Sequence, residues 1–164
     1  MLCDYNATQV YRRLFGRYPT GVAVCLAGQA SEPVGMTVNS LSSVSLEPLL
    51  LSFCAARGSR TAQAINNAGC FSVNLLTHRQ EDISRHFAGK PSSGALDQLL
   101  WEEGYWRVRE ANASFLCELA HSMPLGDHDL LVGRVIGMSG PSAVNPPLMY
   151  FQGGYATQPA ELQP

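Results

Sequence analysis

Residues 33–54 read PVGMTVNSLSSVSLEPLLLSFC, and this stretch decides the class of the fold. Its two ends, residues 33–38 and 48–54, are short apolar or β-branched runs bounded by turn-forming residues, which is typical of β-strands. The segment between them is rich in serine and contains an asparagine, and both residue types favour turns. The stretch therefore predicts two short strands joined by a polar segment.

The same pattern continues in both directions along the chain. Short β-rich runs recur between turn residues, and their turn-rich joints favour antiparallel neighbours over long helical crossovers. The sequence therefore predicts a mainly β fold, a barrel or a sandwich, with a few helices. The further predicted strands are residues 21–27, 70–76, 105–110, 114–121, 129–138 and 148–151.

Three segments carry helix signals. Apolar side chains at helical spacing within residues 6–18 predict one amphipathic helix. A second helix is predicted over residues 61–68, where Ser59 can cap the first turn. A third is expected to start at Thr77, because Gln80 three residues later completes a capping-box pattern.

The chain has 164 residues and 46% hydrophobic content, which fits one compact domain. We assign residues 1–155 to this domain, including a weakly patterned segment at residues 91–104 that is expected to form a short turn. Residues 156–164 contain two prolines and two glutamines with little to bury. They therefore predict a mobile tail.

Composition argues against several classes of partner. Eleven Lys and Arg against thirteen Asp and Glu give a formal charge of −2, without the basic excess by which nucleic-acid binders neutralise phosphates. The first residues show neither the basic start nor the apolar stretch of an export signal, and no membrane segment is expected. We therefore expect a cytoplasmic protein without nucleic-acid or membrane partners.

Missing motifs exclude further chemistries. Five widely spaced cysteines without a Cys-x-x-Cys pair predict neither a disulfide framework nor a zinc site, and the four histidines lack metal-ligand spacing. The absence of Gly-x-Gly-x-x-Gly and phosphate-loop motifs disfavours a Rossmann dehydrogenase and a nucleotide hydrolase. The absence of a Gly-x-Ser-x-Gly elbow argues against a serine hydrolase.

Three polar groups are candidates for a binding site. The hydroxyl and amide side chains of residues 35–48 can form a rim around a planar ligand that needs an apolar slot. Residues 57–61 (RGSRT) follow a strand and open a helix, where free N–H groups and positive charge favour a phosphate. His128, just before an apolar strand, is placed to face a substrate. Each group also has an ordinary alternative: serines in turns, Ser59 as a simple helix cap and a solvated turn histidine.

The motifs, taken in order, resemble those of the flavin reductase-like family, short reductases that supply reduced flavin to two-component monooxygenases. The resemblance covers most of the chain. Its main segments are residues 15–24 (FGRYPTGVAV), 35–40 (GMTVNS), 43–48 (SVSLEP) and 71–76 (FSVNLL), then Gln80, Ile83-Ser84 and Phe87-Ala88, and finally 126–128 (GDH) with 132–135 (VGRV).

This resemblance implies a split barrel of antiparallel strands, a homodimer with flavin near the subunit interface, and a site for FMN or FAD that accepts hydride from NADH, less often NADPH. Such hydride transfer requires no acid–base pair from the protein. The resemblance assigns cofactor binding to Thr37, Val38, Asn39, Ser40, Ser45, Cys54, Ala55 and Phe87, phosphate binding to Ser59, Arg60 and Thr61, and the nicotinamide side to His128.

One position departs from the family pattern. The last strand of the family commonly ends in Tyr-Phe-Arg-Gly-x-Tyr, whereas residues 150–155 read YFQGGY, with Gln152 in place of the arginine. The departure supports one alternative, a storage or chaperone protein that binds flavin without reductase activity. A second alternative is an oxidoreductase whose bound flavin reduces another acceptor.

Overall fold

A computed structural model describes residues 6–157, which form a mainly β fold with three helices. The helices are α1 (Ala7–Phe15), α2 (Arg60–Ala68) and α3 (Glu81–Phe87), and Leu96–Gln98 form a 3₁₀ turn. The strands are β1 (Thr20–Gly21), β2 (Ala23–Gln29), β3 (Glu32–Val38), β4 (Ser42–Leu46), β5 (Leu49–Ala56), β6 (Cys70–Leu75), β7 (Leu99–Glu102), β8 (Tyr105–Val108), β9 (Ala113–Leu125), β10 (His128–Ser139), β11 (Leu148–Phe151) and β12 (Gly154–Thr157).

Seven strands form the main sheet in the order β3-β2-β6-β9-β10-β5-β4, and all neighbours in it are antiparallel. A smaller sheet has the order β1-β11-β12, and β7 and β8 form a separate hairpin. The antiparallel pairing confirms the expectation from the turn-rich joints. Residues 39–41 connect β3 to β4, which lie at opposite edges of the main sheet.

Two apolar clusters hold the sheet from its two faces. The β-strand alternation of β2 places Cys25 in one cluster and its neighbours Val24 and Leu26 in the other, so this strand is covered on both sides. In the first cluster, the rings of Phe53 and Phe71 pack edge to face with centroids 5.6 Å apart. This packing fixes the strand ends that carry the polar motifs.

A buried amide ties four strands together. Asn74 donates to the carbonyl of Val24 at 3.2 Å and to the hydroxyl of Ser72 at 3.0 Å. Its side-chain oxygen accepts from the backbone N–H of Val108 and from the hydroxyl of Ser114. Because every polar atom of this fully buried side chain has a partner, Asn74 is compatible with the apolar core around it.

Residues 42–46 form a strand where the sequence indicates only a polar segment. Strand β4 pairs with β5 from Ser42 opposite Ser52 to Leu46 opposite Leu49, with an irregularity between Ser43 and Ser45. The apolar residues Val44 and Leu46 alternate with serines, but both are exposed in the monomer. The pairing with β5, which lies later in the chain, decides this strand rather than local turn propensity.

The predicted start of α3 at Thr77 is wrong, because the helix begins at Glu81. Half of the capping box does form, since the side chain of Gln80 accepts from the backbone N–H of Thr77 at 2.9 Å. However, Thr77 makes an isolated antiparallel bridge with Pro147 and therefore stays extended. The other helices begin within two residues of their predicted starts.

Two weakly patterned segments also contain strands. Residues 91–104 include the 3₁₀ turn and β7, which pairs with β8 from Leu99 opposite Val108 to Glu102 opposite Tyr105. At the C-terminal end, β12 includes Ala156 and Thr157, the first two residues of the predicted tail. The rest of that tail, residues 158–164, lies outside the described residues.

Four cysteines in residues 6–157 are unpaired: Cys25, Cys54, Cys70 and Cys117. Burial raises the pKa of Cys117 to about 12, and burial together with the neighbouring Cys117 raises the pKa of Cys25. These two thiols are therefore neutral core groups at ordinary pH. None of the three described helices has the length and apolar content that crossing a bilayer requires.

Candidate functional site

The end of β3 and the turn after it combine anchored and open polar groups. Thr37 donates from its hydroxyl to the carbonyl of Ser84 in α3 at 2.6 Å. Val38 is buried in the first apolar cluster, whereas Asn39 and Ser40 are exposed. Because β3 ends at Val38, the side chains of Asn39 and Ser40 both lie at the surface, where a ligand can reach them.

Ser40 connects this turn to the end of β5. The backbone N–H of Cys54 donates to the hydroxyl oxygen of Ser40 at 3.0 Å. Cys54 is half-buried, and the side chain of Ala55 is fully buried in the core. Ala55 as a whole has no exposed surface, so neither its side chain nor its backbone is open to a ligand.

Three clefts meet at Asn39. A cleft of about 250 Å³ is lined by Thr37, Val38 and Asn39 together with Tyr150 and Tyr155. A larger cleft of about 960 Å³ continues from Asn39 and Ser40 towards β1 and β11. A third, of about 380 Å³, lies against α1. The two larger clefts have the volume of ordinary ligand sites in proteins.

An aromatic pair forms the wall opposite β3. The rings of Tyr150 and Tyr155 pack edge to face with centroids 5.6 Å apart. The hydroxyl of Tyr155 lies 2.8 Å from that of Ser84, and the guanidinium of Arg85 lies 5.0 Å from the centroid of its ring. Helix α3 is thereby joined to both walls of the small cleft, through Thr37 on one side and Tyr155 on the other.

Phe87 at the end of α3 packs directly on β3. A Cβ atom added to Gly35 would lie 2.7 Å from two ring atoms of Phe87, closer than real side chains approach. Gly35 is therefore required for the close approach of helix and strand. Phe87 is half-buried, and Ala88, next to it, lines the small cleft.

The predicted phosphate group lies at the start of α2. Ser59 has extended backbone and its hydroxyl oxygen accepts from the N–H of Ala62 at 3.1 Å, so the predicted cap is confirmed. Arg60 is exposed and lies 3.4 Å from the carboxylate of Glu32. Thr61 is only 4% exposed. Arg60 and the free N–H groups of the first turn are thus the groups open to an anion here.

His128 begins β10 and pairs across the sheet with Ala56 at the end of β5. Its side chain is 44% exposed, and its Nδ1 lies 2.8 Å from a carboxylate oxygen of Asp127. The hydrogen bond from His128 is the main cause of a lowered pKa for the Asp127 carboxyl, with a smaller contribution from Arg12 in α1. Asp127 thus binds one ring nitrogen of an accessible histidine that lies opposite Ala56 at the end of β5.

Ser45 is the predicted residue that lies apart from this group. It stands on β4, where its hydroxyl accepts from the backbone N–H of Glu47 at 3.3 Å. It lines a separate, mostly apolar groove of about 330 Å³ together with Leu46, Leu49 and Met138. The structure therefore brings Thr37, Val38, Asn39 and Ser40 together at the three clefts, with Cys54 hydrogen-bonded to Ser40. Ser45, Phe87 and His128 do not line these three clefts.

The sequence motifs of the turn after β3 do not predict all residues that line the small cleft. In the sequence, Tyr150 and Tyr155 stand out only as neighbours of the departure at Gln152, although their spacing around a tight turn carries the signal. Gln152 and Gly153 both have positive φ, 49° and 82°, which turns the chain back on itself and pairs the two tyrosines across β11 and β12.

Within residues 6–157, no three His, Cys, Asp or Glu side chains cluster as metal ligands do.

Comparison with known proteins decides the family. Residues 15–159 match the flavin reductase-like domain. The chain belongs to this family. This flavin reductase-like protein is 37% identical over 153 residues to the NADH-dependent FMN reductase AsuE2 of Streptomyces nodosus subsp. asukaensis, covering 90% of the chain and 83% of the relative.

Two further comparisons agree with this assignment. The flavin reductase-like chain is 37% identical over 151 residues to the reductase component of 4-hydroxyphenylacetate 3-monooxygenase from Thermus thermophilus, covering 90% of the chain and 94% of that component. Among solved structures, it resembles the NADH:FAD oxidoreductase SgcE6 of Streptomyces globisporus in complex with NAD and FAD fragments. The TM-score is 0.86 and the identity 31%, with 99% of each chain covered.

Proposed function

We propose that this protein is an NADH-dependent flavin reductase, which transfers hydride from NADH to FMN or FAD and supplies reduced flavin to a partner monooxygenase. The observation that carries this proposal is the meeting of three clefts at Asn39, within the polar motif of residues 37–40. The family membership of the chain and the reductases that it resembles support the same activity.

The residues around Asn39 fit a flavin. A tricyclic ring requires apolar walls and hydrogen-bond partners at its polar edge. Val22, Tyr150 and Tyr155 provide the walls, while the amide of Asn39 and the hydroxyl of Ser40 provide donors and acceptors. The flavin supplies the hydride-accepting atom, and the protein supplies binding and orientation.

The proposed role of His128 is to position the nicotinamide side of the donor. Its ring is accessible, and Asp127 holds it in one orientation through the 2.8 Å contact at Nδ1. Orientation of this kind raises the rate by holding the two reacting groups in a productive geometry, without transfer of a proton. Arg60 and the first N–H groups of α2 are proposed to contact the flavin phosphate.

The clefts are open to solvent, which suits a flavin that leaves after reduction. Purified protein is mixed with NADH, and the absorbance of NADH is followed with FMN, with FAD or without flavin, and again with NADPH. Fast oxidation only with added flavin is expected. Quenching of flavin fluorescence without NADH oxidation would instead support a storage or chaperone protein. Oxidation without added flavin, by protein that already carries flavin, would support a reductase of another acceptor.

We also propose that the main sheet closes into a split barrel. Its edge strands β3 and β4 are joined by residues 39–41 alone, a link that spans at most about 14 Å. Seven strands laid flat would separate their edges by about 29 Å. The short link therefore favours a strongly curled sheet. Hydrogen exchange tests how far the closure extends. The measurement compares the protection of the backbone N–H groups of β3 and β4 with that of the central strands.

A homodimer is proposed, with the groove beside β4 and β5 as its contact surface. Leu46 is 82% exposed and Met138 62% exposed, and both line this groove. Exposed apolar patches of this kind mark interaction surfaces. Light scattering coupled to gel filtration should give twice the chain mass, and Leu46→Asp should reduce it. A monomer at working concentration would contradict the proposal.

The proposed compartment is the cytoplasm. The four unpaired cysteines of residues 6–157 are compatible with a reducing compartment, in which disulfides are rare. The partner monooxygenase is proposed to receive the flavin by diffusion. The test adds a catalase-free oxygenase of the two-component class. The product of the coupled reaction is measured with the two proteins separated by a dialysis membrane and again with both in one solution.

A further inference from the structure

We propose that the cleft against α1, lined by Tyr11, Arg12, Phe15, Tyr18, Asn39 and Tyr150 among others, binds the adenosine phosphate half of a nucleotide. We call it the α1 cleft. The inference rests on the proposed reductase function and assigns a subsite to it. Two substrates of that reaction carry this chemical group, NADH and FAD, whereas FMN does not.

The α1 cleft has the shape and chemistry for a base and a phosphate. Its volume is about 380 Å³, within the range of small-ligand sites. Tyr11 is 65% exposed, Phe15 59% and Tyr18 66%, so one helix and the loop after it present three aromatic rings to solvent. Exposed aromatic rings next to a cation are the combination that stacks a base and binds its phosphate.

The aromatic surface of the α1 cleft is ordered. The rings of Tyr11 and Phe15 stack with centroids 5.5 Å apart and an interplanar angle of 17°, and Tyr18 meets Phe15 edge on. The backbone N–H of Gln152 donates to the carbonyl of Gly16 at 2.8 Å, which fixes the end of α1 to the β11–β12 turn. A base that enters the cleft therefore meets aromatic rings that pack on one another.

Arg12 supplies the charge. It forms no ion pair with a carboxylate within residues 6–157, unlike Arg60, Arg85 and Arg134. Its positive charge contributes to the lowered pKa of the Asp127 carboxyl, so α1 lies within electrostatic range of the turn that carries His128. A guanidinium binds phosphate with paired hydrogen bonds.

Thr20 adds a polar group to the same cleft. Its hydroxyl oxygen is buried and has no hydrogen-bond partner within the described part of the chain. Thr20 lines both the α1 cleft and the larger cleft that begins at Asn39. The position of Asn39 in all three clefts makes the α1 cleft continuous with the proposed ring site. A dinucleotide could thus place its reactive ring by Asn39 and its adenosine half on α1.

The first experiment measures AMP binding to the full chain by titration calorimetry. We expect measurable AMP binding by the wild type. Arg12→Ala should weaken this binding about tenfold, because it removes one charge-assisted contact at an exposed site. Phe15→Ala should weaken it by a similar factor through lost stacking. Arg13→Ala is the matched control, because Arg13 is the next residue of the same helix and does not line the cleft; it should bind AMP as the wild type does. Equal loss in Arg12→Ala and Arg13→Ala, or no AMP binding by the wild type, would overturn the proposal.

A second experiment separates the two sources of the adenosine group. Dissociation constants of FMN and FAD are measured by fluorescence quenching, and KM for NADH is measured with FMN as acceptor. If Arg12→Ala raises KM for NADH and leaves the ratio of the FAD and FMN dissociation constants unchanged, the cleft is assigned to the donor. A raised dissociation constant for FAD alone would assign it to the flavin. No change in either quantity would overturn the proposal.

These measurements separate the subsite from the reductase activity itself. Oxidation of NADH by the wild type with FMN tests the activity, and it needs no adenosine group on the acceptor. AMP affinity tests the cleft without any turnover. If the wild type does not oxidise NADH with FMN but binds AMP in an Arg12-dependent way, only the reductase function is contradicted. If it oxidises NADH but shows no Arg12-dependent AMP binding, only the subsite is contradicted.

Discussion

The hydroxyl of Ser40 accepts a hydrogen bond from the backbone N–H of Cys54 at 3.0 Å, and this contact joins the turn after β3 to the end of β5. Two segments of the candidate site, which the sequence presents as separate motifs, are thereby held in one place. Removal of the hydroxyl leaves the N–H of Cys54 without its partner and frees the turn.

Ser40→Ala is therefore expected to weaken flavin binding about fivefold, the equivalent of one net hydrogen bond of about 1 kcal/mol. Flavin fluorescence quenching measures the dissociation constant. Ser31→Ala, in the exposed turn between β2 and β3, is the control and should bind as the wild type does. Equal affinities in all three proteins would contradict a role of this contact in shaping the site.

Gly35→Ala should disrupt both stability and flavin binding. The added methyl group would overlap the ring of Phe87 and displace the end of α3 from β3. Overpacking of this kind costs about 1–3 kcal/mol in the free energy of unfolding. Urea denaturation measures the loss. Gly21→Ala, where an added Cβ meets nothing within 4 Å, should be nearly neutral, and equal stability losses in the two variants would contradict the explanation.

His128→Ala is expected to slow hydride transfer while flavin binding stays within about twofold of the wild type. The reason is that His128 is proposed to orient the nicotinamide and not to hold the flavin. Stopped-flow reduction of flavin by NADH gives the rate. His121→Ala, which removes an exposed histidine from the neighbouring strand β9, should leave the rate unchanged. Equal transfer rates in His128→Ala and the wild type would remove the proposed role.

Gln152→Arg should lower KM for NADH by about three- to tenfold, because it places a guanidinium at a position where the family pattern has one. Gln152 is exposed, and its backbone contact to Gly16 does not depend on the side chain. Steady-state kinetics with saturating FMN measure the effect. Gln152→Met, of similar length and without charge, is the control. A KM that is unchanged by the arginine would show that the departure has no consequence for the donor.

Stability should fall as the pH rises from about 9 towards 12. Burial raises the pKa of Cys117 from 9.0 in the unfolded chain to about 12 in the fold. The thiol therefore keeps its proton in the folded state over a range in which the unfolded state has lost it, so its contribution to stability is complete below pH 9 and disappears through pH 12. Urea midpoints at pH 8, 9.5 and 10.5 measure the slope, which should be shallower in Cys117→Ala. Parallel slopes would contradict this origin.

Helix α2 shows what local signals can predict. Ser59 caps its first turn and Gly69, with φ of 68°, ends it, so the helix begins one residue from its predicted start and ends where predicted. Helix α3 shows the limit of such signals. The capping-box residues of the sequence are present, but Thr77 pairs with Pro147 from a distant part of the chain, and the helix begins after it.

The candidate site divides in the same way. Thr37, Asn39 and Ser40 were predicted from the motif and line the clefts, whereas Ser45 lies in a separate groove because β4 pairs with β5 and carries it away from Asn39. The roles assigned to these residues stay predictions. Tyr155 was missed as a wall, because its contact with Ser84 joins two residues that no local pattern connects.

The sequence by itself determined the mainly β class, the antiparallel neighbours, two of the three helix starts to within two residues and the order of the family motifs. Each of these depends on side-chain alternation, turn residues or caps within a few positions of one another. Only the tertiary structure decided that β4 is a strand, that Tyr150 and Tyr155 face the β3 turn, and that α1 forms a third cleft at Asn39. β4 depends on its backbone pairing with β5, to which Glu47 and Pro48 join it. The other two relations arise from packing between segments far apart in the chain, where the gain is buried surface that no local pattern encodes.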